Sequence, residues 1–144
     1  MMNLTRGRLT FGTALMAAAL LMLSVVSAHA QSGPLMAKIP FGFYAGDILL
    51  PAGEYRIVPI ENGVMNVFNL DTHTPAIFNT FTVRNLGLEP IPAKLVFHRY
   101  GQDYFLSEMW WAGQSVGSKT MSSKRERELA KTAAPARIES VAHR

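Results

Sequence analysis

Apart from Phe11, every aromatic residue of this chain lies between Phe41 and Trp111. Within that interval short apolar stretches are cut by glycine, proline and Asn-Gly at intervals of roughly 8 to 15 residues, the spacing of antiparallel β structure. The core must therefore be central and built from strands. The chain has 144 residues and no cysteine. That excludes a disulfide scaffold, an iron-sulfur cluster, a thiolate zinc site, a thiol nucleophile and a lipidated-cysteine anchor. A domain of about 110 residues buries roughly 60 to 70% of its unfolded surface, enough to hold without staples.

The strands can be followed along the chain. Ile39, Phe41 and Phe43 alternate with polar or turn residues and should face inward, with Pro40 confining them to an edge or a strand start. Gly46-Asp47 turns the chain, and Pro51-Ala52-Gly53 turns it again before Glu54 to Ile60. Asn62-Gly63 is the strongest hairpin signal, because a type I′ turn needs positive φ at both central residues; it joins Tyr55 to Ile60 with Val64 to Leu70. In the next strand Ile77, Phe81 and Val83 are expected to face the core. Asn85 to Pro92 reads as the longest irregular loop.

Lys94 to Tyr100 and Asp103 to Trp111 form a hairpin around Gly101-Gln102, with glycine placed for a type II′ turn. That register sets Arg99 opposite Tyr104, Phe97 opposite Leu106 and His98 opposite Phe105, leaving His98 and Glu108 on opposite faces. Both faces of the hairpin are apolar, so it belongs in the middle of the sheet. Ser123-Lys124-Arg125-Glu126 is a capping box, predicting a helix from Lys124 to Ala133 that stops before Pro135. Residues 136 to 144 read as disordered. The expected fold is all-β: an antiparallel sandwich or half-open barrel of six to seven strands with one short C-terminal helix.

At the other end, Arg6 and Arg8 precede an apolar run from Phe11 to Val26, followed by Ser27-Ala28-His29-Ala30. A charged start, an apolar middle and small residues at the exit describe a secretory signal peptide cleaved between Ala30 and Gln31. The expected organisation is a signal peptide at 1–30, a β domain at 31–118 and a basic helix with a disordered tail at 119–144. Residues 31 to 118 hold five basic side chains against seven acidic ones, whereas the chain from Lys119 onward holds seven against three. The pI of about 9.7 thus reports on the leader and tail.

Two stretches carry a resemblance: Pro40-Phe41-x-Phe43-x-x-Gly46 running into Leu50-Pro51-Ala52-Gly53-x-Tyr55, and Phe97-His98-Arg99-Tyr100-Gly101-Gln102-x-Tyr104-Phe105-Leu106, followed by Ser123-Lys124-Arg125-Glu126. Together they resemble a family of small exported bacterial proteins with no assigned activity, in which an aspartate often stands at the position of Gln102. The resemblance implies export and a single β domain. It carries no catalytic or binding residue.

Candidate chemistry is sparse. His98, Arg99 and Glu108 form the densest polar group, and convergence in one pocket would suit a small hydrolase or isomerase. The structural alternative has Arg99 stacked on Tyr104 and His98 hydrogen-bonded at the sheet rim. Tyr100, Tyr104, Trp110 and Trp111, with Arg99 beside them, are candidates for a ligand-binding aromatic surface, since flat side chains bury much area at little entropic cost. Adjacent Trp110 and Trp111 must point to opposite faces of their strand, so one can lie outside the core. Asp71-x-His73 has the spacing of two metal ligands with no third, and no metal or cofactor is expected. Lys124-Arg125-x-Arg127 is interleaved with Glu126 and Glu128 and reads as a solvated helix face, so nucleic acid is not an expected partner. The expectation is an exported, periplasmic or extracellular, non-enzymatic domain that binds a ligand or protein partner or serves a structural role in the cell envelope, with no transmembrane segment in the mature chain.

Overall fold

The computed structural model describes residues 33–143; the expected signal peptide and its cleavage site at Ala30 and Gln31 lie outside them. The described residues form ten strands, one short α-helix and a single 3-10 turn at Glu61–Gly63. In chain order the strands and the α-helix are β1 (Leu35–Ile39), β2 (Phe43–Ala45), β3 (Ile48–Leu50), β4 (Gly53–Ile60), β5 (Val64–Asn69), β6 (Pro75–Arg84), β7 (Lys94–Tyr100), β8 (Asp103–Trp110), β9 (Val116–Thr120), α1 (Lys124–Ala130) and β10 (Ala136–Val141). The count exceeds the six to seven expected for three reasons. Pro40 splits the first apolar stretch into β1 and β2, the polar β9 and β10 carry no aromatic signal, and β3 is only three residues long.

Neighbours pair in the order β1, β4, β5, β6, β9, β8, β7, β10, all antiparallel. A bridge between Met36 and His143, with two backbone hydrogen bonds of 2.7 and 2.9 Å, then returns the ring to β1. The result is a flattened barrel made of two sheets. The β2–β3 hairpin joins it through one parallel bridge, Tyr44 to Phe105, so the sheet is mixed rather than purely antiparallel. The expected tail is part of this architecture: β9 crosses the boundary drawn at 118, and β10 pairs with β7 from Lys94 to Arg99. A strand with few apolar residues looks disordered in sequence when its backbone partner is distant in the chain.

The long strand β6 links the two sheets. Pro75 to Asn79 pair with β5, and Thr80 to Arg84 pair with β9. Its facing differs from expectation: Ala76 is buried, while Ile77 and Phe81 are 55% and 51% exposed. The preceding turn decides this. Buried Asn69 accepts backbone hydrogen bonds from Asp71 and Thr72 at 2.8 Å, and its own amide donates to Thr74 at 3.0 Å. That geometry places Val67 opposite Ala76, and one residue of register exchanges every side chain between faces.

Inside the barrel, Leu35, Ile39, Phe43, Tyr55, Ile57, Val67, Leu95, Phe97, Met109 and Trp111 form a continuous core. Phe43 meets Tyr55 and Phe97 edge-on, with ring centres 5.1 and 5.4 Å apart. Asn62 and Gly63 both have positive φ, and the Val64 amide closes their turn onto the Glu61 carbonyl. Glu61 adds one residue to the predicted two-residue loop.

Outside the barrel, Trp110 lies on Gly117 of the neighbouring β9. A Cβ at Gly117 would stand 2.6 Å from the indole and 2.9 Å from the Met109 carbonyl. Replacing Gly117 by alanine should therefore lower the unfolding free energy by about 1 to 3 kcal/mol, the usual range for overpacking. Urea unfolding followed by circular dichroism measures it, and an unchanged midpoint would mean that Trp110 is not seated on β9.

Candidate functional site

The two faces of the β7–β8 hairpin have different roles. Leu95, Phe97, Leu106 and Met109 point into the core. The opposite face carries Val96, His98, Tyr100, Phe105, Glu108 and Trp110, and the predicted register holds only as far as Phe97 opposite Leu106. Ser107 is then an extra residue, a β-bulge, and Glu108 falls opposite Val96. The bulge turns Glu108 to the His98 side, correcting the expectation that they lie on opposite faces. Arg99 is exposed on the other side.

His98, Arg99 and Glu108 nevertheless do not converge. His98 Nδ1 lies 2.9 Å from Glu126 Oε1 of α1. Glu108 Oε2 accepts from Trp110 Nε1 at 2.9 Å and faces Arg137 at 3.5 Å. Glu139 completes an alternating row, 3.3 Å from Arg137 and 2.9 Å from Lys94.

The proposed aromatic surface is likewise built into the fold. Tyr100, Trp110 and Trp111 are buried, and Tyr104 is half-buried and stacked on Phe41 with ring centres 3.9 Å apart. Trp110 and Trp111 do point to opposite faces; Trp111 enters the core and donates from Nε1 to the Gly33 carbonyl at 2.8 Å. Tyr44, Phe105 and Tyr100 form a second aromatic cluster, with ring centres 5.0 and 5.8 Å apart. Burial, and secondarily the Glu126 carboxylate, push the Tyr100 phenol above its ordinary pKa.

The helix α1 docks near this cluster mainly through polar contacts. Arg125 lies over Tyr44 and donates to Asp103 at 2.9 Å, while Glu126 is the one buried residue of the helix. The Ser123 hydroxyl accepts from the Glu126 amide as the capping box predicts, but the Glu126 carboxylate goes to His98 instead of reaching back. The helix ends at Ala130, short of the predicted Ala133. Asp71 and His73 are also otherwise engaged: Asp71 accepts from the Glu54 amide, and His73 stands edge-on to Phe68. No cluster of three metal-binding side chains occurs among the described residues.

A concavity lies elsewhere, where β9 ends and β6 loses its neighbour. It holds about 490 Å³ between the Gly46-Asp47 turn, Ile77 to Asn79 of β6 and the approach to α1. Ile48, Ile77 and Met121 are 38%, 55% and 61% exposed there, and Lys124 and Arg127 line it from the helix. The fully exposed Leu86 and Leu88 belong to the 85–92 loop, beside a smaller cavity of about 210 Å³. Sequence reasoning missed the larger groove because its apolar residues come from three distant segments and because β6 had been assigned the opposite face. The basic residues of α1 were its only visible signal. No protein-family model matches this chain, and no curated protein or solved structure shows significant similarity to it.

Two outcomes follow from these contacts. Glu126→Ala removes a buried carboxylate that bonds His98 without weakening helix propensity, so it should cost about 1 to 3 kcal/mol. Faster amide exchange confined to Arg127–Ala130 and the facing strand would locate the loss, whereas unchanged exchange would mean that α1 docks without this contact. The Glu139 carboxyl is held below its ordinary range, first by the hydrogen bond from Lys94, with burial opposing and the Lys94 and Arg137 charges adding. Such a group contributes stability above its unfolded pKa and loses it as pH falls through the folded value. The native chain should exceed Lys94→Met by under about 1 kcal/mol at pH 7, and the two should converge below about pH 4. Urea midpoints against pH measure the difference; a gap that persists in acid refutes the pairing.

Proposed function

We propose that this chain is exported by the general secretory route, cleaved between Ala30 and Gln31, and acts in the periplasm or outside the cell as a non-enzymatic domain that binds a protein or ligand of the envelope. The observation that supports binding is the groove of about 490 Å³, where Ile48, Ile77 and Met121 from three distant segments meet solvent together. Exposed apolar residues gathered at a concavity are the usual mark of a recognition site. The leader-like segment supports export, and no helix among the described residues is long and apolar enough to cross a membrane. A hydrolase or isomerase using His98, Arg99 and Glu108 has less support, because each engages different surroundings.

Photo-crosslinking in cells expressing the whole chain tests the reading. A photoreactive residue at Met121 should give a discrete adduct in the exported fraction, and one at the exposed Ala136 of β10, outside the groove lining, should not. Absence of an adduct at Met121, or equal adducts at both positions, refutes binding at the groove. Recovery of the chain in the cytoplasm with its first 30 residues intact refutes export.

A further inference from the structure

The groove is bordered by an open strand edge. β6 pairs with β5 over Pro75 to Asn79 and with β9 over Thr80 to Arg84, so among the described residues no strand pairs with its first half on the β9 side. The backbone alternation shows what that edge offers. Asn69 and Thr74 form a hydrogen-bonded pair, so two and four residues further on Ala76 and Phe78 direct their amides toward β5. Ile77 and Asn79 then direct N–H and C=O the other way. At the far end, the Asn85 amide donates to Ser115 beyond β9, which agrees with odd-numbered residues facing that side.

Natural sheets usually cover or blunt such edges. Here Pro75, which has no N–H, blunts one end, while Ile77, Phe78 and Asn79 form a wall of the groove. Ile48 and Met121 supply apolar contacts on either side. Lys124 and Arg127 flank one end and make no ion pair among the described residues, although Arg127 donates to the Ser122 carbonyl. Asp47 stands at the turn opposite them.

Resting on the binding role proposed above, we infer that the partner is an extended peptide segment with alternating apolar side chains and an acidic residue. It adds as a strand to the open edge of β6, with backbone bonds to Ile77 and Asn79 and its acidic residue toward Lys124 and Arg127. Backbone pairing provides the affinity in this mode, and alternate side chains reaching pockets provide selectivity. The two cations make the edge selective for acidic sequences and give the bound strand a direction.

The test uses an end-blocked heptapeptide of alternating valine and threonine with an aspartate at each terminus, titrated into the purified chain. Slower amide exchange at Ile77 and Asn79 is expected, with Ala76 and Phe78 unchanged because β5 already protects them. N-methylation of alternate peptide amides should abolish binding. Replacing the aspartates by lysines should weaken it, and Lys124→Glu should lower affinity for the aspartate peptide about three- to fivefold, the scale of one exposed charge pair. Binding without protection at Ile77 and Asn79, or equal binding of the N-methylated peptide, overturns the inference. A concentration-dependent dimer that protects the same two amides without peptide overturns it in favour of self-pairing. An adduct at Met121 together with an inert peptide edge would sink this inference alone; no adduct and no peptide binding would sink both.

Discussion

The exchange of partners along β6 underlies the rest of the molecule. A strand that belonged wholly to one sheet would leave the second sheet unconnected on that side. By leaving β5 at Asn79 and joining β9 at Thr80, β6 turns one sheet into the other. The ring then needs only the short Met36–His143 bridge on its other side. The same exchange leaves half of each β6 edge without a strand partner among the described residues, so the corner that shapes the barrel also produces the groove. The register that fixes this arrangement comes from Asn69, which organises the turn ahead of β6 at the cost of exposing Ile77 and Phe81. Apolar burial on that scale is worth about 1.5 to 3 kcal/mol for each large side chain, so the turn and the rows it aligns outweigh a substantial opposing preference.

A second constraint is that β7 and β8 are buried on both sides. One face joins the main core, and the other is covered by charged rows and a seven-residue helix. Exposed ion pairs contribute little singly. The contact between Glu126 and His98 differs because the carboxylate is buried, and leaving such a group without a partner would be costly. The bulge at Ser107 sends Glu108 to the same outer face, where it meets Trp110 and Arg137. His98 and Glu108 therefore tie the barrel to its covering, while Arg99 stays exposed on the other side.

What could be read from the sequence follows the range of each interaction. The Asn62-Gly63 and Gly101 turns, the first rungs of the β7–β8 hairpin, the Ser123 cap and the opposed tryptophans depend on neighbours a few residues away, and all were legible. The bulge was not, because one inserted residue leaves no mark in the hydrophobic alternation. The facing of β6 was lost because two alternating apolar sets, Ile77 with Phe81 and Ala76 with Phe78, compete, and side-chain size favours the wrong one. β10 escaped notice because its stability comes from β7, almost forty residues earlier in the chain. The aromatic candidates were misjudged for a related reason: whether Trp110 is exposed depends on Gly117 of another strand.

The basic tail takes on a different meaning in this light. A charged segment after an aromatic core reads as an appendage, and its net charge suggests a solvated or polyanion-seeking end. Yet Arg125, Glu126, Arg137 and Glu139 each contact a side chain of the preceding strands, and β10 lengthens the sheet before His143 closes the ring. The tail's cations thus divide by neighbourhood. Those facing Asp103, Glu108 and Glu139 are neutralised within the fold, while Lys124 and Arg127, which stand at the groove, make no ion pair among the described residues. Net charge along the chain is consequently a poor guide to this surface, because part of it is paired within the fold and part of it lies where strand pairing also stops.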